Sequence, residues 1–191
     1  MNEISLGQMS SQMQTRTSRI VLTGFMGSGK STVGPLLAGS LGWRFVDVDE
    51  VIEAEAGATI AEIFLRHGES AFRDREHATI ARLVSGESIV LGLGGGAIER
   101  EDTRMLLKAP GTLVVNLEVE LETTLHRCSG TESIRPVLAD QANLRSRYER
   151  RLPLYRTAHV TVHTDRLSPQ HVTKAILEAA GLSNQQKIST P

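Results

Sequence analysis

Residues 24–31 read GFMGSGKS and match the pattern G-x-x-x-x-G-K-[ST], in which a glycine-rich turn joins a buried strand to a helix. The context agrees with the motif, because the apolar run 20–22 precedes it and the helical stretch 31–40 follows it. Glycines let the backbone curl until successive N–H groups face one anion, and the next helix adds its positive N-terminal end. The motif therefore predicts a strand, loop and helix that together bind phosphate.

The side chains of this motif predict a nucleoside triphosphate as the ligand. Lys30 supplies a mobile positive charge for the outer phosphates, and the Ser31 hydroxyl is a ligand for Mg²⁺. The alternative is an ordinary glycine-rich turn. It is a poor explanation, because a sequence match of this length rarely arises by chance. The residues expected to contact the nucleotide are Gly27, Ser28, Gly29, Lys30, Ser31 and Thr32.

Length and composition limit the remaining possibilities. At 191 residues with a net charge of −1, the chain predicts one domain over 19–181 and no general affinity for nucleic acid or membranes. The single cysteine, Cys128, excludes an internal disulfide and agrees with a reducing cytoplasm. The polar ends, 1–18 and 182–191, are expected to be a disordered N-terminal extension and tail.

Apolar runs alternate with amphipathic stretches along the chain, which predicts a parallel sheet covered by helices on both faces. The predicted strands are Ile20–Thr23, Arg44–Val48, Ser88–Leu91, Thr112–Leu117 and Val160–Val162. The predicted helices are Ser31–Ser40, Asp49–Ala56, Thr59–His67, Glu69–Ser85, Arg100–Leu107, Glu118–Cys128, Gln141–Thr157 and Ser168–Ala180. A polar segment at about 128–140, with a glycine and a proline, is expected to be a long functional loop.

Two carboxylates follow the second predicted strand, at Asp47 and Asp49. Parallel strands present their carboxyl ends to one ligand crevice, so both acids are expected near the phosphate-binding loop. One can hold Mg²⁺ through water, and the other can orient or deprotonate an attacking hydroxyl. The alternative for Asp49 is a helix cap with no chemical role.

Three consecutive glycines, 94–96, end the third predicted strand, as expected where a ligand approaches the main chain closely. A flexible turn is the alternative.

Arg73 lies on a predicted helix with Glu76 three residues later, and this spacing lets the carboxylate hold the guanidinium in place. An ordinary surface ion pair is the alternative for that pair.

Arginines surround the polar loop, with Arg127 before it, Arg135 inside it and Arg151 on the helix after it. An arginine on a mobile lid can neutralise the transferring phosphoryl group and help to exclude water. A solvated side chain is the alternative for each of the three.

Taken in order, these segments resemble the shikimate kinase family. The matching pieces are GFMGSGKS at 24–31, DVD at 47–49, FR at 72–73, GGG at 94–96, RPVL at 135–138 and RLPLY at 151–155. The resemblance implies a P-loop NTPase fold of the nucleoside-monophosphate-kinase-like type: a three-layer α/β/α domain with a central five-stranded parallel sheet and a mobile lid. It also implies transfer of the γ-phosphoryl group of ATP to the 3-hydroxyl of shikimate, a step of chorismate and aromatic amino-acid biosynthesis.

The resemblance further implies a role for each candidate residue. On the nucleotide side, Lys30 serves the phosphates, Ser31 and Asp47 serve Mg²⁺, Arg127 lies against the adenine and Arg135 comes down with the lid. On the acceptor side, Asp49 binds the ring hydroxyls and activates the nucleophile. The carboxylate of shikimate is expected between Arg73 and Arg151, and the ring is expected against Gly95 and Gly96.

Two other functions remain open at this point. A gluconate-type or nucleotide kinase of the same fold would lack the paired arginine clamp of Arg73 and Arg151. A non-catalytic nucleotide-binding module is the other possibility, although such a module usually loses one of the catalytic residues. Nothing in the sequence indicates an obligate dimer, and we expect a monomer.

Overall fold

The computed structural model describes residues 17–129 and 141–182. Its centre is a five-stranded sheet in which every pairing is parallel, in the order β2-β3-β1-β4-β5. The strands are β1 (Arg19–Thr23), β2 (Arg44–Asp47), β3 (Ile89–Gly92), β4 (Thr112–Glu118) and β5 (Val160–His163). All five predicted strands are confirmed, and with them the predicted parallel α/β sheet.

Helices connect successive strands, as parallel pairing requires. They are α1 (Lys30–Leu41), α2 (Val48–Ala56), α3 (Ile60–Leu83), α4 (Glu101–Leu106), α5 (Leu121–Cys128), α6 (Gln141–Tyr155) and α7 (Pro169–Ala179), with a short 3₁₀ turn at Ala97–Glu99. The turn was not predicted, because three residues carry no recognisable period. None of the helices within these ranges combines the length and apolar character needed to cross a bilayer.

Two apolar layers cover the sheet, one on each face. On one face Ile20 and Leu22 pack with residues of α1 and α7. On the other face Val21 packs with residues of α2, α3 and α6. Because both faces are covered, the central strand β1 is buried throughout, and a continuous apolar run such as Ile20–Leu22 is the pattern that such a strand needs.

Gly34 shows how closely α1 lies against the sheet. A glycine inside a helix costs backbone entropy, so its presence there needs a reason. An ideal Cβ at this position would overlap the ring of Phe45, which packs against the helix from β2. The absence of a side chain therefore permits the close packing of α1 on β2.

One predicted helix boundary was wrong, and one predicted break between helices was confirmed. Glu118 ends β4 rather than opening a helix, because it pairs with His163 of β5 and its carboxylate accepts hydrogen bonds from Arg156 at 2.6 and 2.9 Å. The break predicted between the helices on either side of residue 68 is confirmed, because Gly68 is non-helical (φ 80°, ψ 171°) and divides the range of α3 into two helical parts. This backbone conformation is one that only glycine adopts readily.

The register of the strands determines where the site forms. Gly92 at the end of β3 pairs with Leu22 of β1 and with Asp47 at the end of β2. The segments that follow these strands, 24–29 and 93–96, therefore leave the same edge of the sheet beside Asp47. The described ranges include only residues 17 and 18 of the predicted N-terminal extension, residues 128 and 129 of the predicted lid, and residue 182 of the predicted tail.

Candidate active site

The glycine-rich segment after β1 forms a tight loop that ends at the first residue of α1, Lys30. Gly24, Gly27 and Gly29 have φ values of 140°, 73° and 99°, in the region that favours glycine. The oxygen of Leu117 also lies where a Cβ of Gly24 would be. The first glycine is therefore required both by its backbone conformation and by the neighbouring strand.

Lys30 lies inside the curve of this loop. Its Nζ donates to the carbonyl oxygens of Gly24 (2.8 Å) and Phe25 (3.1 Å) and to the hydroxyl of Ser28 (3.4 Å). These contacts hold the ammonium group beside the N-terminus of α1, whose backbone N–H groups attract anions. The loop therefore offers a fixed positive charge and a helix terminus to the same phosphate groups.

Ser31 and Asp47 bring two oxygen donors together next to the loop. The Ser31 hydroxyl donates to Oδ2 of Asp47 at 3.3 Å, and the other carboxylate oxygen accepts the backbone N–H of Asp49 at 3.0 Å. Hydroxyl and carboxylate oxygens are ligands that Mg²⁺ prefers, and this ion keeps several waters and needs few protein groups. The two side chains therefore fit an Mg²⁺ ion shared with bound phosphates.

The second of these hydrogen bonds settles which acid caps α2. Asp47 is the N-cap residue, because its side chain accepts the N–H of Asp49. The alternative considered for Asp49, a capping role, belongs to Asp47 instead. Asp49 is left available for chemistry.

A cavity of about 670 Å³ contains these groups and extends away from the sheet edge. Its polar end is the phosphate-binding loop with Asp47 and Asp49. Its other end is lined by Arg127, by Leu167 of the segment between β5 and α7, and by Val172 of α7. A cavity with one anion-binding end and one more apolar end has the size and character of a nucleotide site.

Arg127 bridges the two ends of this cavity. Its guanidinium donates to the carbonyl oxygen of Gly27 (3.1 Å) and to the hydroxyl and carbonyl oxygens of Thr164 (3.2 and 2.7 Å). The side chain is therefore held between the phosphate-binding loop and the segment after β5. The position is compatible with a planar base lying against the guanidinium.

Asp49 lies at the border between this cavity and a second polar region around Gly94. An ideal Cβ at Gly94 would be 2.7 Å from Oδ1 of Asp49 and 2.8 Å from Oε1 of Glu76. Both oxygens are buried and have no hydrogen-bond partner in the described part of the chain. Unsatisfied buried acceptors at a glycine-lined opening suit a ligand that brings hydroxyl groups.

The pKa values of both acids are raised. Burial raises the pKa of Asp49 to about 6, with a further rise from Asp47, while Lys30 and Arg73 oppose it. Burial also raises the pKa of Glu76 to about 7 against the opposing effect of Arg73. An acid with a pKa near the working pH is suited to accept a proton, so Asp49 has the properties of a general base.

Arg73 reaches this region from α3. It forms ion pairs with Glu76 at 2.7 Å and Glu69 at 3.1 Å, and its guanidinium lies over the ring of Phe72. An ideal Cβ at Gly96 would be 2.6 Å from the guanidinium carbon. The glycine therefore gives Arg73 room to lie directly on the main chain.

Arg151 reaches the same glycines from α6. It is almost fully buried, and its Nε and Nη2 contact one oxygen of Glu99 at 2.9 and 2.8 Å. Its Nη1 would be 3.6 Å from a Cβ at Gly95, whose carbonyl oxygen accepts a hydrogen bond from Tyr155. Two guanidinium groups thus lie at adjacent glycines, directly after Gly94, where the Asp49 carboxylate lies.

Three further residues support the arginines. Glu76 could be found in the sequence from its spacing to Arg73, whereas Glu99 carried no signal because it lies 52 residues from Arg151. Tyr155 stood within a recognised motif without an assigned role. Arg135, predicted to act from the lid, lies outside the described residues.

Comparison with known proteins is consistent with this geometry. The family model for shikimate kinase matches residues 26–180. Curated relatives include the shikimate kinases of Chromohalobacter salexigens, 46% identical with 83% of this chain and 89% of the relative covered, and Persephonella marina, 42% identical with 83% and 96% covered. Among solved structures, shikimate kinase from Acinetobacter baumannii in complex with shikimate is 39% identical, with a TM-score of 0.81 over 91% of this chain and 97% of that one.

Proposed function

The chain belongs to the shikimate kinase family, and we propose that it transfers the γ-phosphoryl group of ATP to the 3-hydroxyl of shikimate, giving shikimate 3-phosphate and ADP. This reaction is a step of aromatic amino-acid biosynthesis. The observation that carries the proposal is the meeting of Arg73 and Arg151 at adjacent glycines, one of which, Gly95, lies beside the Gly24 carbonyl that Lys30 contacts. A small carboxylic acid held there lies next to the triphosphate site.

The acceptor is held at its carboxylate. Arg73 and Arg151 offer guanidinium groups, the side chains best suited to paired hydrogen bonds with a carboxylate. The absence of side chains at Gly95 and Gly96 leaves room for the two guanidinium groups, and the ring is placed against these glycines. Glu76 and Glu99 position the two arginines, because Glu76 contacts the guanidinium of Arg73 and Glu99 contacts that of Arg151.

The nucleotide is held at its phosphates by the loop amides, Lys30 and Thr32, with Arg127 against the adenine. Ser31 and Asp47 would hold Mg²⁺, with Asp47 acting through water, and the bound ion would supply positive charge to the phosphates. Arg135 would add a further positive charge from the predicted lid. Catalysis of phosphoryl transfer depends mainly on such positioning and charge neutralisation.

Asp49 joins the two halves of the site. Its unpartnered oxygen accepts a hydrogen bond from the 3-hydroxyl and takes the proton as the oxygen attacks the γ-phosphorus. The bond between that phosphorus and the bridging oxygen of the β-phosphate then breaks, and ADP leaves. The raised pKa of Asp49, about 6, makes this transfer easier than it would be for an ordinary aspartate.

We further propose that the protein acts as a monomer in the cytoplasm, with no nucleic-acid partner. The net charge of −1 offers no general attraction to a polyanion. Its single cysteine, Cys128, is buried and not in a disulfide, which suits a reducing compartment.

The proposed acceptor is tested by measuring ADP formation with shikimate, gluconate and AMP in parallel. We expect turnover with shikimate alone, because only this acid matches two arginines with one carboxylate and Asp49 with ring hydroxyls. Turnover confined to gluconate or AMP would assign the site to another small-molecule kinase. ATP binding without transfer to any of the three would indicate a non-catalytic nucleotide-binding module.

Replacement of Arg73 by alanine is expected to raise the KM for shikimate by about 10- to 100-fold, since one charged hydrogen-bonding partner of the carboxylate is lost. The KM for ATP should change little. Arg66→Ala is the matched control, because Arg66 lies on the same helix and pairs with the exposed Glu62. An unchanged KM for shikimate in Arg73→Ala would remove this residue from the clamp.

A further inference from the structure

A second cavity, of about 300 Å³, lies between α4 and the turn that joins α6 to β5. It shares no lining residue with the nucleotide cavity. Its volume is at the lower end of the range found for small-molecule sites. Neither the phosphoryl transfer nor the binding of either substrate uses it.

The interior of this cavity is apolar. Ile98 and Leu107 are buried there, and Val114 of β4 lies beside them. Met105 lines the cavity with more than half of its surface exposed. A flexible thioether beside an apolar floor can adapt to a ring or an aliphatic chain.

The rim of the cavity is positively charged. Positions 101, 104, 105 and 108 share one side of α4 and the turn after it, so Arg104 and Lys108 face the cavity together with a single acid, Glu101. Neither cation forms an ion pair within the described ranges. Two cations against one carboxylate favour an anionic ligand.

His159 adds a hydrogen-bond donor. Pairing between β4 and β5 begins at Val115, so the N–H of Val114 is not used by the sheet on that side and donates to Nδ1 of His159 at 2.9 Å. A neutral imidazole that accepts at Nδ1 carries its proton at Nε2. The ring that lines the cavity is therefore a donor at its other nitrogen.

Arg104 connects this cavity to the acceptor site. Its Nη1 donates to the carbonyl oxygens of Ile98 (2.8 Å) and Glu99 (2.9 Å), at the end of the 3₁₀ turn. The side chain of Glu99 in turn holds Arg151. A ligand that attracts the Arg104 guanidinium competes with those two carbonyl groups and disturbs the support of Arg151.

We propose that this cavity binds a small monocarboxylate with an apolar ring, and that binding raises the KM for shikimate. The ring occupies the apolar interior, and the carboxylate lies at Arg104, Lys108 and His159. The site is distinct from both substrate sites. Its existence does not depend on the identity of the phosphoryl acceptor.

The test is a calorimetric titration with 3-phenylpropionate in the presence of saturating shikimate and ADP, so that the arginine clamp is already filled. We expect saturable binding that weakens about two- to fivefold in Lys108→Gln and strengthens in Glu101→Gln, as expected for single charges near a surface. Lys174→Gln is the matched control, because this exposed lysine pairs with Glu178 on α7. Acetate, which lacks the ring, and 3-phenylpropanol, which lacks the charge, should both bind more weakly.

Four results would overturn the proposal. Binding that is lost in Arg73→Ala and unchanged in Lys108→Gln would place the probe at the arginine clamp instead. An affinity equal in wild type, Lys108→Gln and Glu101→Gln would exclude the charged rim, and acetate binding as tightly as 3-phenylpropionate would exclude the apolar interior. A shikimate KM that does not change with 3-phenylpropionate, in a protein that binds it, would overturn the connection through Glu99.

Discussion

Alanine at position 30 is expected to reduce kcat by about 100- to 1,000-fold, the range found when one preorganised charge is removed from a transition state. The Lys30 ammonium lies within the phosphate-binding loop, where it contacts Gly24, Phe25 and Ser28. No other lysine lines the nucleotide cavity within the described ranges. Negative charge that develops on the transferring group would therefore lose its nearest compact cation.

The measurement is a coupled assay of ADP formation at saturating ATP and shikimate, with the melting temperature recorded for each variant. Lys174→Ala is the control, since it removes a lysine from the surface of α7 and should leave kcat unchanged. A normal kcat for Lys30→Ala would contradict the assignment of the loop. A large loss of melting temperature would instead indicate that the three carbonyl and hydroxyl contacts of Lys30 hold the loop together.

Local patterns were sufficient to predict the sheet and the phosphate-binding loop. A strand buried on both faces requires an uninterrupted apolar run, and Ile20–Leu22 is one. The loop was equally visible, because its glycines are required by backbone conformation at fixed spacing. Such features depend on neighbours in the chain, which a sequence displays directly.

The support of the acceptor site could not be predicted in the same way. Glu99 holds Arg151 across 52 residues. The oxygens of Asp49 and Glu76 that have no partner in the described part of the chain meet at Gly94 only because α2, α3 and the end of β3 converge there. These contacts follow from the packing of elements that are remote in the chain. The sequence contained the residues, and the fold determined which of them act together.

The roles of Asp47 and Asp49 could be predicted from the sequence only in part. The sequence predicted both acids at the end of a strand, and it left two roles open for Asp49: a helix cap or a catalytic group. Helix α2 begins one residue earlier than predicted, at Val48, so Asp47 takes the capping position and its carboxylate is partly satisfied by the N–H of Asp49. A shift of one residue at a helix start, which sequence patterns rarely resolve, therefore decides the roles.

Asparagine at position 49 is expected to lower kcat by about 100- to 10,000-fold, the contribution typical of general base catalysis, with little change in ATP affinity. The amide has the shape of the carboxylate but cannot accept the hydroxyl proton. In the wild type, kcat/KM for shikimate should fall as the pH drops below about 6, where Asp49 becomes protonated. The Asp49→Asn variant should not show this decrease of kcat/KM at low pH. If the variant shows the same decrease at the same pH, the titration belongs to another group.

The Asp49→Asn variant should also be more stable than the wild type at pH 8. Because burial raises the pKa of Asp49 from 3.8 to about 6, the folded state favours the protonated acid, and stability is lost as the pH rises through that range. Asparagine does not titrate, so the free energy of unfolding of the variant, relative to wild type, should increase by about 2 kcal/mol between pH 4.5 and pH 8. Urea unfolding at the two pH values measures this difference. Lost activity with equal destabilisation at both pH values would indicate a packing defect. Lost activity with a free energy of unfolding that rises with pH, relative to wild type, would show that the Asp49 carboxylate is kept ionised for catalysis at the expense of stability.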